Sequence, residues 1–346
     1  MRLAVVGFGL SGSVFHAPLI TACPTTELIT IVTANPERQE KARTTYPDVS
    51  IVPTVDELLD RSDDFDALVV ATTNAQHVPL ALKALDHGLY VILEKPMSGT
   101  RTEAEEIFDR ADSVERQVHV FQNRRWDSDF LTVQAIVAAG ELGDVHRFQS
   151  AFERFRPQTQ QRWRDVGSSE ELAGLLYDLG SHLVDQALVL WGPAERVYAS
   201  ARALRPPHLA NDDTLITIEH MSGVISECAV SALAPHLAPR FRVLGNKGGI
   251  TIDGLDEQEN ELRDGHLPTD DTWGTTQRTV EFHDGSGRPQ SRTLERGRWD
   301  LFYPAVVSSI RGDGVAPVSR ESAIATIALL ETAARSAQLG EWVACS

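Results

Sequence analysis

Two segments carry side chains whose types and spacing could do chemistry. Lys95 comes two residues after the apolar, strand-like run Tyr90–Leu93. If that run is a central strand of a parallel sheet, Lys95 lies at the carboxyl edge, where such sheets bind ligands. Asp178 and His182 are four residues apart in a stretch whose pattern predicts one helix over 171–190. Residues at this spacing share one helix face, so their side chains could converge on one ligand.

Each of these residues also has a plainer interpretation. Most lysines are surface residues, and an Asp–His pair one turn apart can simply stabilise a helix. Asp185, seven residues after Asp178, could complete a set of two carboxylates and one imidazole for a metal ion. The sequence offers no further ligand motif of that kind, so no metal site is predicted.

A glycine-rich turn near the first residue points to a dinucleotide. The strand-like run Arg2–Val6 leads directly into a G-x-G-x-x-G segment. Its candidate cofactor-binding residues are Gly7, Gly9, Leu10, Ser11 and Gly12. In dinucleotide-binding folds the first glycine permits the tight turn, the second lets the backbone approach the pyrophosphate, and the third allows close helix–strand packing. A flexible turn is the alternative, but the position between a strand and a helix favours the cofactor.

The residues after the second strand-like run, Leu28–Thr33, bear on which dinucleotide binds. Folds of this type that bind NAD usually end this strand in an acid that holds the ribose 2′-hydroxyl. Here Thr33 and Asn35 stand at the strand end without a carboxylate, and Arg38 follows in the next helix. A neutral-to-basic site at a helix N-terminus suits a 2′-phosphate. We therefore expect NADP(H) to be favoured over NAD(H); ordinary cap residues are the alternative.

Placement adds two further groups of candidates. The first group follows a strand and should face the cofactor: Thr72, Thr73, Asn74, His77, Glu94 and Lys95. The second group lies beside the crevice or in a polar loop and could contact substrate: Lys95, Asn123, Arg124, Trp126, Trp163, Arg164, Asp178 and His182. For each tryptophan, packing in the core is an equal alternative.

Up to residue 122, short apolar runs alternate with helical segments. The runs are β-branched and apolar on both faces, as strands of a covered parallel sheet must be. They are Arg2–Val6, Leu28–Thr33, Ala67–Ala71, Tyr90–Leu93 and Gln117–Gln122. The alternation predicts an α/β fold whose first domain, residues 1–122, is a doubly wound Rossmann sheet that binds NAD(P). Pro18 should kink or restart the helix after the glycines.

From residue 123 the pattern changes to longer strands with few helices between them. The expected strands are Asp144–Phe155, Arg196–Leu204, Asp213–Met221, Val224–Leu233, Phe241–Leu244 and Gly249–Ile252. Consecutive strands imply a mostly antiparallel, open-faced sheet in a second α+β domain, residues 123–346, which binds substrate. Because helices on one side leave the other face to be covered, we expect this sheet to join copies of the chain into a homodimer or homotetramer. Segment 254–298 is polar and has no clear pattern.

Composition limits the classes of partner. The 346 residues include 32 basic and 49 acidic side chains, a net charge of −17. Such a charge repels nucleic acids and anionic lipid surfaces. No apolar run approaches the roughly 20 residues that span a bilayer, and no secretory signal is evident. Three widely spaced cysteines favour reduced thiols, so we expect a cytoplasmic protein that binds neither nucleic acid nor membrane.

Taken together, these motifs resemble the Gfo/Idh/MocA family of oxidoreductases over nearly the whole chain. Three segments follow the order and spacing of the family: GFGLSGSVFHAPLI at 7–20, EKP at 94–96 and LLYDLGSHLVDQAL at 175–188. Four more are similar to its branch of NADP-dependent scyllo-inositol dehydrogenases: FHAPLI at 15–20, QNRRWDSDFLTV at 122–133, FRP at 155–157 and WRD at 163–165.

The resemblance implies an NAD(P)-dependent dehydrogenase acting on a CH–OH group, with catalytic roles for Lys95, Asp178 and His182. A secondary alcohol of a cyclitol or sugar would lose its proton to neutral His182 while Lys95 hydrogen-bonds the reacting oxygen. One alternative is a regulatory protein of the same fold that binds NADP and sugar without catalysis. Another is a dehydrogenase for an aldose, a keto-sugar or a sugar phosphate. A regulatory protein has no need of all three residues, so their joint presence favours the enzyme.

Overall fold

Two β-sheets organise the chain. The structure is a computed structural model that describes residues 1–159, 163–168, 171–286 and 288–345, with only the backbone of Trp163 and Arg164. A six-stranded sheet contains the strands before residue 121, and a nine-stranded sheet contains those after residue 144. The expected α/β fold, a Rossmann-type parallel sheet followed by a mostly antiparallel one, is confirmed.

The first sheet is parallel throughout and is covered on both faces. Its strands are β1 (Arg2–Val6), β2 (Glu27–Val32), β3 (Ser50–Val52), β4 (Ala67–Val70), β5 (Tyr90–Leu93) and β6 (Val118–Val120), in the order β3-β2-β1-β4-β5-β6. The helices along it are α1 (Ala17–Ala22), α2 (Pro36–Thr45), α3 (Val55–Leu59), α4 (His77–Asp86) and α5 (Arg101–Ser113). Every side chain of β4 is buried, as helices on both faces require. The sequence did not reveal β3, because three half-buried residues are too few to form a pattern.

The chain after the glycines forms an unusual helical turn. Residues Ser11–His16 are π-helical, and α1 begins at Ala17 with Pro18 in its first turn. Pro18 therefore restarts the helix, because a first-turn N–H needs no partner within the helix. The rare π-helical turn often marks a functional site, and here its last residue, His16, is fully buried.

The second sheet is mixed. Its strands are β7 (Val145–Glu153), β8 (Ala194–Arg202), β9 (Asp213–His220), β10 (Ile225–Ser231), β11 (Phe241–Gly245), β12 (Gly249–Ile252), β13 (Thr279–His283), β14 (Gln290–Thr293) and β15 (Val343–Ala344), in the order β14-β13-β12-β11-β7-β10-β9-β8-β15. β7 and β10 pair in parallel, whereas β10 and β9 pair antiparallel. The sheet is mostly antiparallel, as expected, and the parallel pairing of β7 and β10 arises because the chain crosses from β7 toward the sheet edge as β8 and returns through β9 to β10.

The single helix predicted over 171–190 is wrong. The helices of this half are α6 (Ser128–Ala138), α7 (Trp163–Val166), α8 (Leu175–Asp178), α9 (Gly180–Trp191), α10 (Gln258–Arg263), α11 (Phe302–Arg311) and α12 (Arg320–Leu339). Positive φ angles of 55° at Leu172 and 91° at Gly174 prevent a helix before Leu175, and Leu179 interrupts it. No helix within the described ranges is both long and apolar enough to cross a bilayer.

The two faces of the second sheet differ in polarity. Helices α9 and α12 pack against one face, where Ile216, Ile218 and Val230 are buried. On the other face Leu215 is 44% exposed, but an Arg147–Glu227 ion pair lies on the neighbouring strands. The open face therefore carries both apolar and charged side chains.

One late segment packs against the first sheet instead of the second. Trp299, Phe302 and Tyr303 are buried in the same apolar cluster as Phe8 and Phe121. The chain thus returns to the glycine-turn side of the parallel sheet after completing most of the second sheet. Residues distant in sequence can therefore reach the cofactor side.

Candidate active site

The glycine turn is shaped to accept a group against its backbone. Gly7 has a φ of 96°, and a Cβ there would collide with the carbonyl of Ala71. A Cβ on Gly12 would collide with the carbonyl of Gly7. A Cβ on Gly9, by contrast, would meet only the Arg38 guanidinium, with Nη1 3.7 Å away. Gly7 and Gly12 are thus required by the turn itself, whereas Gly9 leaves space for a pyrophosphate next to the chain.

Basic side chains flank this turn. The exposed Arg38 lies over Gly9, and Lys41 Nζ is 3.5 Å from Ser13 Oγ. Asn35 Oδ1 accepts a hydrogen bond of 3.0 Å from the Arg38 backbone N–H, so Asn35 caps α2. Thr33 is buried, and its hydroxyl accepts from the Asn35 N–H at 3.4 Å. Thr33 and Asn35 therefore define the backbone conformation after β2. The positively charged side chains of Arg38 and Lys41 are the groups that could bind a phosphate.

The residues after β4 divide between exposed and structural positions. Thr72 packs against Gly7, and Thr73 is exposed. Asn74 Nδ2 donates to the Leu172 carbonyl at 2.9 Å. His77 is fully buried, with Nδ1 2.7 Å from the Pro96 carbonyl, and burial lowers its pKa. His77 therefore supports the turn after Lys95 through Nδ1, and its contact with the cofactor stays a prediction.

Glu94 is held in place from several sides. One carboxylate oxygen, Oε1, accepts a hydrogen bond from Ser11 Oγ and lies 3.2 Å from His16 Nε2. The other, Oε2, accepts from the Lys95 backbone N–H at 3.1 Å. Burial alone would raise the pKa of Glu94, but the bond to His16 and the nearby Lys95 charge outweigh it and hold the pKa at about 2. Glu94 is thus a fixed anion between the glycine turn and Lys95.

The amine of Lys95 reaches across to the second half of the chain. Nζ donates to the Asp178 backbone carbonyl at 2.6 Å and to Asp178 Oδ1 at 3.1 Å. The two side chains are only 12% and 24% exposed. A charged amine has three N–H donors, and the described residues bind two of them, which leaves one for a ligand. The structure therefore brings together Lys95 and Asp178, two of the three predicted catalytic residues.

His182, the third of these residues, is almost completely buried. Its side chain is 4% exposed, and Nδ1 has no hydrogen-bond partner in the described part of the chain. Burial first, and then the positive charges of Lys95 and Arg124, lower the pKa of His182 well below its usual value. His182 is therefore a neutral imidazole at neutral pH and can accept a proton.

Asp185 does not take part in this convergence. Its carboxylate is bound by Arg125 at 2.6 and 2.8 Å and by the Thr326 hydroxyl at 3.2 Å. Asp185 is therefore engaged in an ion pair and is not available as a metal ligand beside Asp178 and His182. Within the described ranges, no group of three or more His, Cys, Asp or Glu residues could hold a metal ion.

The expected substrate residues near 123–126 are mostly engaged within the protein. The guanidinium of Arg124 lies 3.2 Å from Asp127 Oδ2 and 3.3 Å from Glu259 Oε2. Trp126 packs edge-on against Phe302, with centroids 5.9 Å apart. Arg124 and Trp126 therefore have structural partners, which favours the packing alternative for this tryptophan.

The remaining substrate candidates are Asn123, Trp163 and Arg164. Asn123 is buried beside Arg124, while the side chains of Trp163 and Arg164 lie outside the described residues.

Sequence reasoning missed two buried residues, His16 and Tyr303. Their side chains are in contact, with His16 Nδ1 2.7 Å from the Tyr303 hydroxyl. A histidine four residues after the last glycine was a weak signal for His16, and nothing local pointed to Tyr303.

Comparison with known proteins places both halves of the chain in one family. The family model described as "Oxidoreductase family, NAD-binding Rossmann fold" matches residues 1–122. The companion model, "Oxidoreductase family, C-terminal alpha/beta domain", matches residues 134–345. Both models carry the Gfo/Idh/MocA name.

Individual relatives match over almost their full length. The chain is 34% identical to the uncharacterized oxidoreductase YdgJ of Escherichia coli K12, over 98% of this chain and 96% of the relative. It is 31% identical to scyllo-inositol 2-dehydrogenase (NADP(+)) IolW of Bacillus subtilis 168, over 98% and 94%. A crystal structure of an oxidoreductase from Klebsiella pneumoniae has a TM-score of 0.91 at 33% identity, covering 100% of this chain and 96% of that one. With its glycine turn and its matched halves, the chain belongs to the Gfo/Idh/MocA family of oxidoreductases and has an NAD(P)-binding Rossmann domain.

Proposed function

We propose that the protein is an NADP(H)-dependent dehydrogenase for a secondary alcohol of a scyllo-inositol-like cyclitol or sugar. The observation that carries this proposal is the Lys95 amine, held by Asp178 with one N–H unused, near a buried neutral His182. The relative IolW, whose name specifies scyllo-inositol and NADP(+), supports the substrate class. The three cysteines are free thiols, which supports a cytoplasmic location.

His182, Lys95 and Asp178 have different roles in the oxidation of the alcohol. When bound, the nicotinamide supplies the hydride chemistry at the reacting carbon. His182 accepts the hydroxyl proton as the C=O bond forms, because its imidazole is neutral. Lys95 donates its remaining N–H to the reacting oxygen and stabilises the negative charge that develops there. Asp178 orients the Lys95 amine through its backbone carbonyl and its carboxylate. In the reverse direction the ketone oxygen receives the proton from His182.

The preference for NADP(H) rests on charge. Arg38 over Gly9 and Lys41 beside Ser13 place two cations beside the glycine turn. The residues at the end of β2, Thr33 and Asn35, carry no negative charge. A ribose 2′-phosphate would gain attraction from both cations, and no carboxylate at that strand end would repel it.

A sugar phosphate is the second candidate substrate, favoured by Arg154. Its guanidinium packs over the Phe152 ring at 4.9 Å, and Arg124 packs over the same ring at 4.8 Å. Arg124 has two carboxylate partners, whereas Arg154 has none among the described residues. A partly buried, unpaired cation is costly, and a bound phosphate would compensate it. A relative at 28% identity over 55% of this chain is a glucose-6-phosphate 3-dehydrogenase of Bacillus subtilis 168.

A reduction screen with NADP+ and NAD+ over inositol isomers, common sugars and their phosphates tests both candidates. We expect turnover with NADP+ and a neutral cyclitol or sugar, and loss of that turnover in Lys95→Ala. Turnover confined to phosphorylated substrates, and lost in Arg154→Ala, would transfer the proposal to the second candidate. Tight cofactor binding without turnover of any polyol or sugar phosphate would overturn both.

A further inference from the structure

A continuous chain of buried polar contacts links the second half of the protein to Lys95. It starts at the Tyr303 hydroxyl on α11, 2.7 Å from His16 Nδ1. It continues from His16 Nε2 to Glu94 Oε1 at 3.2 Å and from Glu94 Oε2 to the Lys95 backbone N–H at 3.1 Å. His16 and Tyr303 are 0% and 1% exposed, so water does not compete for these contacts.

The chemistry of the two ends determines where the protons lie. The Glu94 carboxylate is ionised and can only accept, so His16 Nε2 must carry a hydrogen. Burial raises the pKa of Tyr303 well above its usual value, so its phenol keeps its proton and can donate. His16 Nδ1 can then accept that proton, and a hydrogen on Nε2 satisfies the contact with Glu94.

We propose that His16 and Tyr303 are positioning residues that hold the Glu94 carboxylate for the nicotinamide ribose and, through it, hold the Lys95 backbone. Ser11 and His16 both bind Oε1, which leaves capacity on Oε2 for a cofactor hydroxyl next to the Lys95 N–H. The Glu94 side chain is 10% exposed, enough for contact at one edge. This inference rests on the proposed cofactor.

The competing explanation is that His16 and Tyr303 serve only to pack against their aromatic neighbours. Substitutions that keep the ring contacts and remove the polar contacts separate the two explanations. The His16 ring lies 4.4 Å from the Phe121 ring, and the Tyr303 ring lies 5.4 Å from the Phe302 ring. Phenylalanine at either position would keep these ring contacts and remove the polar ones. Glutamine at position 16 would lose the ring but could donate to Glu94 and accept from Tyr303.

The first test needs neither substrate nor cofactor. Nitrogen-15 NMR of histidine-labelled protein, assigned with His16→Gln, should show a hydrogen on His16 Nε2 at pH 7, as the contact with the Glu94 carboxylate requires. A His16 imidazole whose only hydrogen is on Nδ1 would overturn the proposed arrangement of protons. Because this readout is independent of turnover, failure of the proposed dehydrogenase activity would not be confused with failure of this inference.

The second test measures NADPH affinity by nucleotide fluorescence, with NADH in parallel. His16→Phe should weaken binding by about tenfold or more, the scale of losing a hydrogen bond to a charged group. Tyr303→Phe, which loses only one hydroxyl, should weaken it about threefold, and His16→Gln should stay closer to wild type than His16→Phe. Tyr198→Phe, at a partly exposed position on β8, is the control. Unchanged affinity for both nucleotides in His16→Phe and Tyr303→Phe would overturn the proposal, and Tyr303→Phe keeps it testable if His16→Phe does not fold.

Discussion

Replacing Lys95 by alanine tests the central contact of the site. Two of the three N–H donors of the Lys95 amine are bound, to the Asp178 carbonyl at 2.6 Å and to Oδ1 at 3.1 Å. The substitution therefore removes one donor to the reacting oxygen. Loss of a single donor of this kind typically lowers kcat by about 10²–10³-fold, or roughly 3–4 kcal/mol. We expect a loss within that range for Lys95→Ala.

Steady-state oxidation with NADP+ measures this loss, and nucleotide fluorescence measures NADPH binding separately. Binding should change little, because the Lys95 amine contacts neither the glycine turn nor the cations beside it. Lys83→Ala is the matched control, since Lys83 forms an exposed ion pair with Asp56 on the surface. A Lys95→Ala enzyme with turnover close to that of the wild type, and a normal melting temperature, would refute the assignment of Lys95 as the donor.

Four other predictions follow from the same structure. His182→Ala should lose about 10²-fold or more in turnover. In the wild type the oxidation rate should fall only well below pH 6.5, because the lowered pKa of His182 keeps the imidazole neutral down to that pH. A fall in rate centred at or above pH 6.5 would contradict this prediction. Arg38→Ala should raise the Kd of NADPH about tenfold or more and that of NADH far less, so equal losses would show that Arg38 does not contact the 2′-phosphate. Arg125→Met should lower the free energy of unfolding by about 3–5 kcal/mol, because it leaves the buried Asp185 carboxylate unpaired. A denaturant titration measures this change, and a loss below about 1 kcal/mol would mean that the ion pair is not important for stability. The molar mass of the protein from light scattering at micromolar concentration should be that of a homodimer or homotetramer. Leu215→Asp on the open sheet face should shift the molar mass toward that of the monomer. A monomeric wild type would contradict the prediction.

Local sequence patterns were enough to predict five of the six strands of the first sheet and the cofactor turn. Strands β1, β4 and β5 are short, apolar runs, and burial on both faces requires that composition wherever the strand lies. Gly7 and Gly12 sit where any side chain would collide with backbone. The position of Lys95 at the carboxyl edge follows from the strand before it. These features depend on neighbours within a few residues, so the sequence alone indicates them.

Contacts between distant segments could not be predicted in this way. The helix expected over 171–190 begins only at Leu175 because the backbone at Leu172 and Gly174 adopts positive φ angles, which no hydrophobic pattern shows. Asp185 was grouped with His182 by spacing, but its partner Arg125 lies 60 residues away. Such a pairing depends on how α9 packs, and spacing along one helix cannot specify it.

The sequence by itself indicated the reaction type, because a glycine turn, a lysine at a strand end and an Asp–His pair four residues apart together resemble the Gfo/Idh/MocA family. Only the tertiary structure decided how these groups are charged and held. It buries His182 beside Lys95, which makes the imidazole neutral, and it carries Tyr303 back across 287 residues to His16. Protonation and orientation depend on burial and on charges close in space. Both arise from packing between elements that the order of residues does not place side by side.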